Sequence, residues 1–272
     1  MKYFLNNKFP FLFRILRNIG DRFSEIKKIL SSLNFVLYFL NLKKIKSLKN
    51  KYQDKRCFII GSGPSLKNID LSLLNNEFTF VCNRGYLLKE LGLESANFYG
   101  LSDVNAAKEY GNKIPNNFAD LFLTFGKIKL KNKKQINFKF ANSNHLVSKG
   151  YFQLDLVKPV AHSYTVVLQM LHVAVWMGFV DIYFIGVDND FNKIENLHWY
   201  KDSKKERDNM VNWNFDPCED NKKAFGQAYE LLKLEGINIY NAGIGGELDT
   251  IPRINFNKVV NNEQSYSCSF CK

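Results

Sequence analysis

The sequence predicts an α/β fold: a mostly parallel sheet flanked by helices, with a basic helical extension on its N-terminal side. Three observations predict it. Strand-like and helix-like segments alternate after residue 56, the pattern of strand–helix–strand units. The clearest strand, Asp181–Val187 (DIYFIGV), follows a nearly unbroken apolar stretch of helical length, Val166–Met177. The first strand, Cys57–Ile60, runs directly into Gly61-Ser62-Gly63-Pro64-Ser65, a sharp glycine turn.

The elements follow in order. Phe78–Cys82 and Ala96–Leu101 read as the second and third strands, and Asn105–Tyr110 as a helix stopped at Gly111. Leu121–Phe125 and Ile136–Phe140 are further strands. Between them Lys127, Lys129, Lys131, Lys133 and Lys134 mark a charged loop or hairpin. Val166–Met177 is a buried helix ending before Gly178. Asp220–Glu235 is amphipathic, with Ala224, Ala228, Leu231 and Leu232 on one face, and Ile237–Tyr240 is the last strand. Ligands on such sheets sit beyond the carboxyl ends of the strands. That rule points to the residues after Ile60, Cys82, Leu101 and Val187.

The chain has 272 residues, enough for one large domain or two small ones without disulfide or metal staples. A hydrophobic content of 46% excludes wholesale disorder. No apolar run is long enough for a conventional membrane-spanning helix. The five cysteines (Cys57, Cys82, Cys218, Cys268, Cys271) are irregularly spaced and read as reduced thiols of a cytoplasmic protein. The lone Cys268/Cys271 pair has no partner pair for a structural zinc site.

The net charge of +12 is unevenly distributed. Residues 1–56 carry 14 Lys/Arg and 3 Asp/Glu, whereas residues 57–272 carry 24 and 23. A protein that grips nucleic acid with its fold carries the charge on the fold, so no nucleic-acid partner is expected. Residues 1–51 form a leader in which Phe4, Phe9, Phe11, Phe13, Ile15 and Leu16 alternate with Lys8, Arg14 and Arg17. A second apolar run, Leu33–Leu42, is followed by Lys43, Lys44, Lys46, Lys49 and Lys51. No small-residue cleavage site follows it, so a signal peptide is not expected. The pattern suits a helix lying in an anionic membrane surface, or a helical hairpin packed on the main domain or a second subunit. Residues 52–260 are the expected catalytic domain and 261–272 a flexible tail.

Five segments can carry chemistry. Gly61, Ser62, Gly63, Pro64 and Ser65 can bring backbone amides close to a phosphate, although the Walker lysine and the full dinucleotide fingerprint are missing. Asn83 offers a donor and an acceptor to a base or ribose, and Arg84 faces either a phosphate or a carboxylate. Ser102 and Asp103 end the third strand, where Asp103 either binds donor hydroxyls or caps the following helix. Gly186-Val187-Asp188-Asn189-Asp190 ends the strongest strand, and Asp188 and Asp190 point the same way only if that strand continues, in which case they could hold a divalent metal. Of the four histidines, His172 sits inside the apolar helix as a core residue. His198, in His198-Trp199-Tyr200, is the best candidate general base.

Taken in order, these segments resemble a known family. CFIIGSGPSLKNIDLSLL looks like the opening of the bacterial sialyltransferases that decorate lipooligosaccharide. The closer similarity is to the 6-hydroxymethylpterin diphosphokinase-like domain family, related to the motility-associated flagellin glycosyltransferases. Asn83-Arg84, GFVDIYFIGVD, His198-Trp199-Tyr200 and IYNAGIGGELDTIPRINF match its remaining motifs, so the resemblance covers about residues 52–260. It implies a Rossmann-like, GT-A-variant, sialyltransferase-like fold with a nucleotide at the Gly-Pro-Ser turn. In the sialyltransferases the donor is CMP-sialic acid, no metal is needed, and a histidine deprotonates the acceptor. Carried over, Gly61, Ser62, Gly63, Pro64, Ser65, Asn83, Arg84, Ser102, Asp103 and Gly186 would bind the nucleotide, with Ser163, Tyr164 and Thr165 lining the donor pocket. His198, Tyr200 and Asp188 would be the catalytic residues, and Arg84, Lys67, Ser65 and Tyr200 the groups nearest the leaving phosphate. Ser62 stands where that turn usually has Asn, and the spacing around His198 differs from the sialyltransferases.

The first expectation is therefore a metal-free glycosyltransferase using a nucleotide-activated sugar, a CMP-sugar, on a glycan or lipid-linked acceptor in cell-surface glycan synthesis. It would sit peripherally at the inner face of the cytoplasmic membrane, alone or as a homo-oligomer. The second is a Mg²⁺-dependent diphosphokinase, with Asp103, Asp188 and Asp190 available to the metal. The third is a non-catalytic scaffold of a glycan-assembly complex.

Overall fold

The computed structural model describes residues 35–141, 152–160, 165–190, 197–204, 206–207 and 216–261. The chain divides into two compact units, Met1–Lys46 and Ser47–Lys272. In the first, the described residues are helical, and this helix (α1) covers 35–47. Its Phe35, Val36, Leu37, Phe39 and Leu40 side chains are all exposed. No helix among the described residues is long and apolar enough to cross a membrane.

The second unit is built on seven parallel strands: β1 (Arg56–Ile60), β2 (Thr79–Cys82), β3 (Ala96–Leu101), β4 (Ala119–Phe125), β5 (Gln135–Phe138), β6 (Asp181–Ile185) and β7 (Asn238–Asn241). Their spatial order is β5-β4-β3-β2-β1-β6-β7. The chain thus moves outward from β1 to β5, returns through a helix, and lays β6 against the other side of β1. Among the described residues the strands are accompanied by the helices α2 (Val104–Tyr110), α3 (Val166–Trp176), α4 (Pro217–Leu234) and α5 (Phe256–Val260).

The strands are short apolar runs because both faces of the sheet are covered. Phe58, Ile60, Val81, Tyr99, Phe122 and Ile185 belong to one buried cluster, with Leu66, Leu71 and Leu88 from the connections and Phe256 and Val259 from α5. Alternate residues face the other way, where α3 packs on β1, β2 and β3. Phe80 and Phe98 meet there with ring centroids 4.3 Å apart, and Phe179 stands edge-on to both. Each fully buried phenylalanine contributes about 2 kcal/mol of hydrophobic stabilisation. Cys57 and Cys82 lie in this interior as free thiols, and burial pushes the Cys82 thiol up to about 12.

Residues 50–54, placed by the sequence on either side of the leader boundary, are tied to the end of α3. Asn50 N–H donates to Trp176 O (3.0 Å), Tyr52 N–H to Met177 O (2.8 Å) and Asp54 N–H to Gly178 O (3.1 Å). One expectation is narrowed and one corrected. Of the loop and hairpin readings of the lysine-rich segment between β4 and β5, the loop holds, because the two strands are parallel. Asn137 Nδ2 stitches it down, donating to Gly126 O (3.0 Å) and Ile128 O (3.3 Å). The β1–β2 and β2–β3 connections are 3-10 turns (Pro64–Asn68, Leu71–Leu74, Gly85–Leu91). The strongest strand stops at Ile185, since Gly186 takes φ +62°.

His172 is the core residue that the sequence suggests. It is buried in α3, stacks on Phe152 (centroids 3.9 Å apart), and sets Nδ1 3.0 Å from Gln153 O. Burial lowers its pKa to about 4. A histidine depressed on folding favours the folded state above its unfolded pKa and loses that contribution as pH falls. Between about pH 7.5 and pH 5 this residue removes about 2 kcal/mol of stability. Urea unfolding at the two pH values should show this component in the native chain and its disappearance in His172→Gln.

Candidate functional site

The reversal of strand order lies between β1 and β6, the position at which open parallel sheets bind ligands beyond the carboxyl ends of their strands. The β1 turn is fastened to the β6 turn by Gly61 N–H to Ile185 O and Gly63 N–H to Gly186 O, both 2.8 Å. The approach is too close for side chains. A Cβ on Gly61 would sit 2.2 Å from Gly186 O, and one on Gly63 would sit 2.5 Å from the Asp188 carboxylate.

Asp188 is the buried centre of this junction. Its Oδ2 accepts from Ser65 N–H (2.9 Å) and its Oδ1 from the Ser65 hydroxyl. Gly63, the N-cap of the Pro64–Asn68 turn, has no side chain to cap it, so Asp188 caps that turn from the turn after β6. Asp188 O accepts from Glu247 N–H (2.6 Å), which draws in the segment Gly243–Glu247. That segment is held by Arg253, whose guanidinium donates to Gly245 O (2.7 Å) and Gly246 O (2.8 Å). Asn189, at φ +52°, donates to Cys218 O (3.0 Å) and accepts from Asn221 Nδ2 (3.1 Å), fixing the turn to α4.

Around the junction opens a solvent-connected cleft. It is lined by Gly61, Ser62, Gly63, Thr165, Val167, Gly186–Asp190, Leu197, His198, Asn221 and Phe225. Thr165 caps α3 by accepting from Val167 N–H (3.3 Å), so the electropositive end of a buried helix faces the cleft. His198 arrives on the segment after β6, which is pinned to the glycine turn by Trp199 N–H to Ser62 O (3.0 Å). His198 Nδ1 pairs with the carboxylate of Asp202, whose side chain is 3% exposed. A carboxylate partner makes Nδ1 the protonated nitrogen and leaves the Nε2 lone pair available. The ring stacks on Tyr200, centroids 4.9 Å apart and nearly parallel.

The fold therefore gathers Gly61, Ser62, Gly63, Thr165, Gly186, Asp188, Asp190 and His198 around one cleft. Pro64 begins the 3-10 turn, and the Ser65 hydroxyl is spent on Asp188. Lys67 is exposed on the same turn. Asn83, Arg84, Ser102, Asp103 and Tyr200 are not among the cleft-lining residues. Asn83 takes φ +52°, and its carbonyl accepts from the Tyr99 hydroxyl. Asp103 caps α2 through Asn105 N–H (2.7 Å). Ser163 and Tyr164, and the tail cysteines Cys268 and Cys271, lie outside the described residues. The condition for Asp188 and Asp190 to act as a metal pair, a strand continuing past Val187, is not met. No cluster of three or more His, Cys, Asp or Glu that could hold a metal occurs among the described residues. Sequence reasoning missed Asp202, although His198-x-x-x-Asp202 is a visible spacing; it allowed Asp188 to bond neighbouring backbone amides but did not identify Ser65 as its partner.

No family model and no curated protein matches the chain. Among solved structures, it is similar to the sialyltransferase CstII of Campylobacter jejuni, determined with the substrate analogue cytidine-5'-monophosphate. That likeness has a TM-score of 0.48 at 20% identity, covering 74% of this chain and 85% of the other. The monofunctional alpha-2,3-sialyltransferase Cst-I of the same organism gives a TM-score of 0.46 at 17% identity, covering 74% and 80%.

The junction makes a direct prediction. Asp188→Asn keeps the shape of the side chain but turns an amide toward one of the two Ser65 donors, which should cost about 1–3 kcal/mol. Gly63→Ala should cost a similar amount by overpacking. Thermal unfolding of both variants checks this, and a surface-like shift under 0.5 kcal/mol would remove Asp188 from the centre of the site.

Proposed function

We propose that the chain is a glycosyltransferase that moves a sugar from a nucleotide donor, a CMP-sugar, to a hydroxyl of a cell-surface glycan or its lipid-linked precursor. The observation that carries this reading is the His198–Asp202 pair at a glycine-lined cleft on the switch point of a parallel sheet. Switch-point crevices suit nucleotides, and a turn without side chains lets phosphate approach backbone amides. The Ser62 amide, between the two glycine amides that bond Ile185 O and Gly186 O, and the start of α3 would receive the donor phosphate. His198 Nε2 would take the proton of the acceptor hydroxyl while that oxygen bonds to the anomeric carbon. The bond from that carbon to the phosphate oxygen breaks as the new one forms, and the nucleotide departs with the electron pair. Asp202 would stabilise the imidazolium and hold its tautomer. A phosphoryl-transfer mechanism through Asp188 would have to take both its oxygens from Ser65.

Calorimetric titration with CMP, UDP, GDP and ATP, each with Mg²⁺ and with EDTA, tests the reading. CMP is expected to bind equally in both media. ATP binding only with Mg²⁺ would move the function to phosphoryl transfer, and no binding at all would favour a scaffold. UDP or GDP binding would keep the transferase class and change the donor. His198→Gln should retain CMP affinity and lose about 10²–10⁴-fold in transfer rate. Asp202→Asn should lose about 10²-fold or more, because an amide no longer holds Nδ1 protonated.

The reading includes attachment to the inner face of the cytoplasmic membrane, where lipid-linked acceptors are built. It is supported by the exposed Phe35, Leu37, Phe39 and Leu40 of α1, next to Lys43, Lys44 and Lys46. The full chain should sediment with phosphatidylglycerol vesicles and not with phosphatidylcholine vesicles, and raised salt should weaken the binding. Equal sedimentation with both, or with neither, would remove membrane attachment from the proposal.

A further inference from the structure

We propose that Arg84 is a positioning residue that holds the His198–Glu206 segment in place, and not a ligand of the donor phosphate. The proposal rests on His198 acting as the base described above. Arg84 follows β2 and meets Glu206 at two points, with Nε 2.9 Å from Oε1 and Nη2 3.1 Å from Oε2. Nη2 also lies 2.8 Å from Glu109 Oε1 on α2. The three side chains are only 13%, 15% and 20% exposed. Burial opposes the charge on Arg84, but the Glu206 hydrogen bonds and charge outweigh it, and the guanidinium pKa is raised.

From Glu206 two routes lead to His198. The first is a capping box. Glu206 Oε2 accepts from Ser203 N–H (2.8 Å), and Ser203 Oγ accepts from Glu206 N–H (3.2 Å). Ser203 directly follows Asp202, which holds His198 Nδ1. The second route is a stack. The Arg84 guanidinium lies over the Tyr200 ring (5.6 Å), and that ring lies parallel to His198. Tyr110 receives the same guanidinium at 4.9 Å. Without Arg84, Glu206 is left shielded from water and short of its counter-charge, and the Tyr200 face loses its cover. Both effects release the residues that fix the imidazole.

The test uses the full chain with Arg84→Gln, the near-isosteric Glu206→Gln, and the double variant. Side-chain nitrogen NMR of His198, assigned against His198→Gln, reads the tautomer, and CMP calorimetry reads the donor site. We expect each single variant to lose the Nδ1–H tautomer signature, the double variant to add nothing further, and CMP affinity to stay within about threefold. A tenfold or greater loss of CMP affinity in Arg84→Gln, with Glu206→Gln unaffected, would make Arg84 a phosphate ligand and overturn the proposal. An unchanged tautomer in Glu206→Gln would also overturn it. Should Arg84→Gln fail to fold, the Glu206→Gln tautomer decides alone. Should no nucleotide bind, the proposed function falls, while the NMR measurement still decides the role of Arg84.

Discussion

The site depends on one buried carboxylate. Asp188 accepts two hydrogen bonds from Ser65, and through them it locks the turn after β1 to the turn after β6. A buried charge of this kind is stable only when donors satisfy it, and Ser65 supplies both a backbone and a hydroxyl donor. The constraint propagates outward. Gly63 must lack a side chain because the carboxylate occupies that space. Gly246 must lack one because the Asp188 backbone lies where its Cβ would be. Gly63 and Gly246, from the first turn and the late Gly-Gly segment, thus answer to the same residue.

The cleft is held from three directions by different chemistry. Below it, the parallel strands fix its floor by backbone pairing alone. On one side, Asn189 joins the β6 turn to α4 through Cys218 and Asn221. On the other, the His198 segment is attached twice, to the glycine turn at Trp199 and to the end of β2 at Arg84. A base must stand within hydrogen-bond reach of the proton that it takes, and a loop fixed at both ends keeps that geometry better than one fixed at a single point.

Much of this was legible in the sequence, for a physical reason. Strands covered on both faces are apolar along their buried length, so Cys57–Ile60, Phe98–Leu101 and Ile182–Ile185 are visible as unbroken runs. The 3-10 connections were not legible, because four to seven residues are too few to establish a helical period. Within the site, glycine spacing revealed the turn and the position after β6 revealed its partner. Composition did not reveal what Asp188 does, since a carboxylate at a strand end serves a metal, a ribose or a cap equally well. Only its distance to Ser65, 123 positions earlier, separates these uses. Arg84 was ambiguous for the same reason. Its partner Glu206 lies 122 positions later, although Ser203-x-x-Glu206 carries a local capping signature.

The strand order also bears on how the chain comes off the ribosome. Strands β1 to β5 are neighbours in sequence and in space, so they can pair one after another as they emerge. The far edge of β1 stays open until residues 181–185 appear, because only β6 covers it. Throughout that interval an apolar strand, flanked by a glycine turn not yet held by Asp188, presents unpaired backbone groups to its surroundings. Newly synthesised chains halted before β6 are therefore the species most prone to aggregate and most in need of a chaperone. A circular permutation that brings β6 next to β1 in sequence would shorten that exposure.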